Sequence, residues 1–375
     1  MYELKKKHQF LKVKKLKILK LIKENYNKKL PFVAYRKPNQ KDVSGIFQLT
    51  DKLHVTTTFS EDGFVFSPFD TKENTILFPL KDAVFLEEKL EIFSSSSSTI
   101  DLNPQLNTTR NQEKEFHEKL VEKGIEAIKR NQFKKVVFSR KEEVALSNFD
   151  IVEVFTKLLQ NYENAFVYVW FHPKVGLWLG ATPETLLKVR GNSFETMALA
   201  GTQPNLGTTD VIWKQKELEE QQFVTDYIVE NLTNIGAEPF TSDIETVQAG
   251  SLLHLKTVIT GKLQTNSIDI KDVISKLHPT PAVCGLPKEK AKKFILENEK
   301  YNRAFYTGFL GELNISHQKS DVNSSALYVN LRCMAIDNNV ATLFIGGGIT
   351  KDSNPEKEWD ETVGKSAIMK KVLLT

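Results

Sequence analysis

Along the chain the spacing of apolar residues changes period several times, and each change marks an element. Near the N-terminus Leu11, Ile18 and Ile22 fall on one helix face and lysines on the other, which predicts an amphipathic helix. The runs Phe64–Phe66, Thr75–Pro79 and Ala83–Phe85 read as short strands between turns. A low-complexity stretch begins at Ser94–Ser98 and continues through Asn103, Pro104 and Asn107, so a linker or surface loop is expected from about Ser94 to Thr109. Helical spacing then covers Phe116–Asn131, and Lys135–Ser139 alternates as a strand. Phe166–Phe171 and Val175–Leu179 predict a hairpin around Pro173, and Thr185–Val189 with Ser193–Ala198 a second around Gly191. Lys214–Leu232 is a long helix. Leu327–Ile336 and Val340–Ile345 predict a third hairpin turning at Asp337–Asn339. A final helix begins at Asn354 and Pro355, an N-cap residue followed by proline at the first helical position. Hairpins mixed with long helices predict an α+β fold of largely antiparallel sheets, not a doubly wound parallel sheet.

Composition changes this picture little. The 375 residues are 40% hydrophobic and 26% charged, values of a chain that buries a core without disulfides or a structural metal. Cys284 and Cys333 give neither a disulfide framework nor zinc spacing. Lysines interrupt Phe10–Lys23 where a signal peptide needs an unbroken apolar core, and no run is long enough to span a bilayer. The expected compartment is the reducing cytoplasm. The net charge is +4, yet Lys5, Lys6, Lys7, Lys12, Lys14, Lys15, Lys17, Lys20 and Lys23 crowd one end. They form either a binding arm for membrane or nucleic acid or the solvated face of the helix. Aromatic residues are not interleaved with them, so neither partner is expected. No GxGxxG or Walker sequence marks a nucleotide site.

Charge placement on the helices is more informative. Glu220, Val224, Ile228 and Leu232 step along one face, with Glu217 one turn earlier on nearly the same side. Glu358, Glu361, Lys365, Ile368 and Val372 repeat the pattern: carboxylates first, apolar residues after. Buried carboxylates need a counter-cation, so two inward pairs could share one hard ion such as Mg²⁺, or each could pair with a nearby Lys or Arg. Lys135 shares a strand face with Val137 and Ser139, as a candidate base or as a strand-edge lysine. Glu184 leaves a strand through Gly180-Ala181-Thr182-Pro183, as a candidate acid or as a turn carboxylate. Gly346-Gly347-Gly348 suits either an anion-binding backbone or a tight turn. Arg332 alternates with apolar strand neighbours and could grip a carboxylate or form a surface ion pair. His278, in the rigid His278-Pro279-Thr280-Pro281, is open between structure and catalysis.

Taken together these segments resemble the chorismate-utilising enzymes, most closely the isochorismate synthases. The motifs run in order from about Phe116 to Leu374: Lys135-Val136-Val137-Phe138-Ser139-Arg140, Gly180-Ala181-Thr182-Pro183-Glu184, Leu199-Ala200-Gly201-Thr202, Lys216-Glu217 with Glu220-Gln221, His278-Pro279-Thr280-Pro281-Ala282, Arg303 with Tyr306 and Gly308, Arg332-Cys333, Gly346-Gly347-Gly348-Ile349, and Glu358-Trp359 with Glu361-Thr362 and Lys365. The resemblance implies a single unit over 1–375 with a variable part, 1–108, and a catalytic part, 109–375, around a deep central pocket. It implies Mg²⁺ held by Glu220 and Glu361 with Glu217 and Glu358 behind its waters, Lys135 as base and Glu184 as acid. Ala200, Gly201, Thr202, His278, Tyr306, Arg332, Gly347, Gly348 and Lys365 would bind chorismate. Its product would be isochorismate, feeding menaquinone or catechol siderophore biosynthesis. The related ammonia-using synthases differ: anthranilate synthases lack a lysine at the Lys135 position, and aminodeoxychorismate synthases carry one where Ala200 stands. No glutamine amidotransferase subunit is therefore expected, and a monomer or weak homodimer suffices. A salicylate synthase, or a silent binding protein on the same fold, is the alternative.

Overall fold

The computed structural model describes residues 18–89, 108–205, 207–249, 252–263, 269–316 and 322–373. The chain begins with α1 (Ile18–Asn27), β1 (Phe32–Arg36), β2 (Asp42–Gln48), β3 (His54–Thr56), β4 (Gly63–Ser67), β5 (Thr75–Pro79) and β6 (Ala83–Lys89). It continues through α2 (Thr108–Lys129), β7 (Lys135–Ala145), α3 (Ile151–Asn161), β8 (Phe166–His172), β9 (Gly176–Thr182), β10 (Thr185–Arg190), β11 (Ser193–Pro204) and α4 (Gln215–Asn234). Then come β12 (Glu238–Thr241), β13 (Glu245–Ala249), β14 (Leu252–Lys262), α5 (Ile270–Leu277), β15 (Gly285–Leu286) and α6 (Lys288–Asn298). Last are β16 (Phe309–Ile315), β17 (Ser324–Val329), β18 (Cys333–Asp337), β19 (Val340–Ile349) and α7 (Pro355–Lys370).

The strands form two antiparallel sheets. One runs β15-β7-β19-β18-β9-β8-β1-β2-β6; the other runs β12-β14-β11-β10-β17-β16-β4-β5-β3, with β13 also on β14. The α+β expectation is met. The early strands are woven into both sheets: β1 pairs with β8 and β4 with β16.

Alternation explains the layering. In β8, Phe166, Tyr168 and Trp170 face the space between the sheets, while Val167, Val169 and Phe171 face α1 and α3. Between the sheets lies an aromatic core in which the Phe166 and Tyr328 rings stack 4.2 Å apart. Each such buried ring contributes about 1.5–3 kcal/mol. Behind the second sheet α4 lays down Val224, Ile228 and Leu232, the stripe expected of it. The result is helices, sheet, sheet, helices.

Two predicted elements differ. Leu327–Ile336 is not one strand: β17 ends at Val329 in one sheet and β18 begins at Cys333 in the other. Arg332 sits in the crossing with φ +46°, a left-handed conformation that no continuous strand allows. The second helix starts at Thr108, eight residues before Phe116, so the linker's last two residues are helical; 90–107 lie outside the described residues. Ile18 and Ile22 are buried as expected, while Leu11 and the lysines up to Lys17 lie outside the described residues.

Candidate active site

The chain changes sheets several times, and two of these crossings lie side by side. The chain crosses at Pro183-Glu184, between β9 and β10, and crosses back at Asn330-Leu331-Arg332, between β17 and β18. The crossings are tied together. Val329 N donates to Glu184 O at 3.0 Å, Ala181 N to Arg332 O at 3.1 Å, and Thr182 Oγ1 to Val329 O at 2.6 Å. Two loops that would otherwise be independent thus hold Glu184 and Arg332 rigidly beside a cavity of about 190 Å³.

Residues from distant parts of the chain line this cavity. β7 contributes Lys135 and Val137, while Val136 and Phe138 pack on the opposite side beneath α2 and α6. α4 contributes Lys216, Glu217 and Glu220; α7 contributes Glu358, Glu361 and Lys365. Ala200, Gly201, Thr202, Tyr306, Gly347 and Gly348 also line it, as expected. Behind β7, buried Arg303 donates to Val137 O at 2.7 Å and to Val283 O at 3.1 Å, and pairs with Glu299 at 2.6 Å. That ion pair clamps two walls of the cavity without facing it.

The three glycines lie within β19, not in a turn. Gly347 and Gly348 pair with Phe138 and Val137 of β7. Their bare backbone makes room: a Cβ on Gly348 would stand 3.1 Å from Lys135 Cε and 3.3 Å from Glu220 Oε1. The β18 ladder stops at Met334–Leu343, so among the described residues no strand covers that edge of the glycine segment. Gly201 has φ +67°, and its absent Cβ lets α4 approach; Glu217 Cβ would be 3.3 Å away.

Charges are distributed unequally. Glu184 is 3% exposed and accepts from Thr280 Oγ1 at 3.4 Å; burial pushes its pKa up to about 8, against weaker opposition from Thr280 and Lys135. The group is a neutral acid at pH 7. Lys135 Nζ lies 2.5 Å from Glu220 Oε1, and Lys365 Nζ 2.7 Å from Glu361 Oε1 and 3.0 Å from Gly346 O. Burial opposes ionisation of Glu361, but Lys365, Lys216 and Lys135 outweigh it and its pKa is lowered; Glu358, buried and beside Glu361, is raised.

His278 departs from expectation. Its ring is buried with Nε2 3.1 Å from the Pro68 carbonyl and an edge against Phe309, and it does not line the cavity. The histidine that does is His254, on β14, where Leu253, Leu255 and Thr257 turn to the buried side. Its Nδ1 lies 3.0 Å from Gly201 O, so the proton sits there and Nε2 accepts from Arg332 Nη2 at 3.3 Å. Burial, and next Arg332, lower its pKa to about 3, which keeps the ring neutral. The period-two pattern of β14 is legible in sequence, but its cavity-facing side is not.

The donor set fits a hard divalent cation. Four carboxylates line one cavity, and Glu217 Oε2 is buried without a hydrogen-bond partner. Among the described residues no three His, Cys, Asp or Glu side chains converge closely enough to hold a metal alone. Mg²⁺ takes one or two carboxylates and fills its remaining positions with water and substrate oxygens.

A sheet-crossing cavity with a neutral acid, an arginine and paired carboxylates defines the class: an acid–base enzyme for a small anionic molecule. The chain belongs to the chorismate binding enzyme family, whose profile matches residues 71–374. It is 28% identical over 279 residues to the isochorismate synthase DhbC of Bacillus subtilis, covering 68% of this chain and 67% of that one. It is 31% identical over 258 residues to the isochorismate synthase MenF of the same organism, covering 65% of this chain and 52% of that one. The fold matches the menaquinone-specific isochorismate synthase MenF of Escherichia coli with a TM-score of 0.73 at 23% identity, over 92% of this chain and 88% of that one. No described helix is long and apolar enough to cross a membrane.

Proposed function

We propose that the protein is an Mg²⁺-dependent isochorismate synthase. The observation that carries the reading is Glu184, a carboxylic acid neutral at pH 7 in the same cavity as Lys135. Arg332 and the Gly347–Gly348 backbone would bind the enolpyruvyl carboxylate of chorismate. Glu220 and Glu361 would hold Mg²⁺, with Glu217 and Glu358 behind its waters; the bound ion would neutralise the ring carboxylate. Lys135, acting as the neutral amine once it has left Glu220 and shed its own proton to solvent, takes a proton from water as the water oxygen bonds to C2. The ring double bond shifts, the C4–O bond breaks, and Glu184 donates its proton so that the hydroxyl leaves as water. Water is consumed and released, so the reaction is an isomerisation and runs in both directions.

Lys135 and Ala200 favour water over ammonia as nucleophile. Val283, Tyr306 and Leu331 also line the cavity. The bulk of Val283 and Leu331 keeps the enolpyruvyl group extended, away from the C2 hydrogen that pyruvate elimination requires, while Tyr306 is compatible with either outcome. The test couples purified protein, chorismate and Mg²⁺ separately to lactate dehydrogenase and to an isochorismatase. Signal only with isochorismatase is expected, and chorismate should be recovered from isochorismate. Rapid pyruvate and salicylate fluorescence without isochorismatase would make it a salicylate synthase instead.

A further inference from the structure

Each of the two carboxylates that would hold the metal directly also holds a lysine: Lys135 on Glu220 and Lys365 on Glu361. We propose that these two ammonium groups compete with Mg²⁺ for the carboxylates and are displaced only when substrate accepts them, an inference that rests on the Mg²⁺ reading above. Lys135 is 5% exposed and rooted in a strand clamped by Arg303, so once released its ammonium stays within the cavity. It must find a partner inside the cavity, and Glu184, being neutral, is a poor one. Lys365 has Gly346 O as a second acceptor and is displaced at lower cost.

Charge balance points the same way. Lys135, Lys216, Lys365 and Arg332 face Glu217, Glu220, Glu358 and Glu361 in one cavity. A divalent cation alone unbalances this set, and so does a dicarboxylate alone; together they leave the balance unchanged. In a partly desolvated space such imbalance is costly. Metal and substrate therefore tighten each other's binding, and by linkage the effect is reciprocal. The lysines act as tethered counter-ions that hold the carboxylates apart until both ligands arrive.

Isothermal titration of Mg²⁺ into the full-length protein without chorismate, checked by electron paramagnetic resonance of Mn²⁺, tests the exchange. Lys135→Met should tighten Mg²⁺ binding by about tenfold, and Lys365→Met should do so on the Glu361 side, within the usual range of coupling between sites. The control is Lys216→Met, since Lys216 acts on Glu358 and Glu361 through space. Simple repulsion predicts equal tightening in all three variants, and exchange predicts little in the control. Thermal melts confirm that each variant is folded; either paired-lysine variant suffices if the other does not fold. Equal affinities across the folded variants, or none tighter than wild type, would overturn the exchange while leaving the metal site standing, provided that Glu220→Gln abolishes binding. No Mg²⁺ or Mn²⁺ binding by wild type or variants, with chorismate or without, would remove the metal reading and the exchange together.

Discussion

Replacing Glu184 by Gln should abolish turnover and yet stabilise the fold, by an amount that grows with pH. The side chain is buried, and its pKa rises from 4.5 to about 8 because the ionised form loses its hydration. Below pH 4.5 the folded and unfolded chains both carry the proton, and the stability contributed by the neutral acid is fully present. Between 4.5 and about 8 the unfolded chain has lost that proton and the folded chain has kept it. Stability then falls with rising pH at up to about 1.4 kcal/mol per unit. The accumulated loss is about 3 kcal/mol by pH 7 and levels off near 5 kcal/mol above the folded pKa. Gln keeps the volume and does not titrate. Its constant packing difference cancels when only the pH dependence is compared. Urea denaturation of wild type and variant at several pH values across this window should show a gap that drifts steadily in favour of the variant. A pH-independent gap would refute the neutral buried acid. In wild type, kcat/KM should fall as pH rises through about 8, where the acid loses its proton. A profile still climbing at about pH 9 would assign proton donation to another group.

Three further outcomes are expected. Lys135→Ala should stop turnover while calorimetry still detects chorismate binding, because the carboxylate contacts lie elsewhere; lost binding with intact chemistry would make Lys135 a binding residue. Gly348→Ala should lower turnover by about tenfold or more with little change in melting temperature, since its methyl would meet Lys135 Cε at 3.1 Å and Glu220 Oε1 at 3.3 Å. Gly347→Ala, whose nearest contact is Glu358 Oε2 at 3.5 Å, should be milder, and equal effects would refute the steric argument. His254→Phe removes the acceptor for Arg332 Nη2 and should raise KM for chorismate more than it lowers kcat; steady-state kinetics showing the reverse would place the histidine in the chemistry.

What the sequence determined by itself was the type of each strongly periodic element and the face each side chain takes. Alternation at Lys135–Ser139 put Lys135 and Val137 on one side, and the cavity is where they point. The helix stripe through Val224, Ile228 and Leu232 put Glu220 at its inner end, and the ordered motifs brought in Glu184, Arg332 and both carboxylate pairs. The faces are consequences of periods of 2 and 3.6 residues, which need only neighbouring residues to be read; the motifs speak through resemblance to a family. Which faces meet is a different matter. Lys135 and Glu220 are 85 positions apart, and their ion pair exists because α4 packs behind one sheet while β7 lies in the other. Residues 327–336 carry an apolar pattern that suits one strand, yet Arg332 turns left-handed there because the chain changes sheets to fill both. His278 lies in the more conspicuous motif, but packing seals it against Pro68, whereas His254, one polar residue in an ordinary alternating strand, faces the cavity. Local pattern decides the faces of an element; only the long-range packing of two sheets, which must bury both sides of most strands at once, decides what each face encounters.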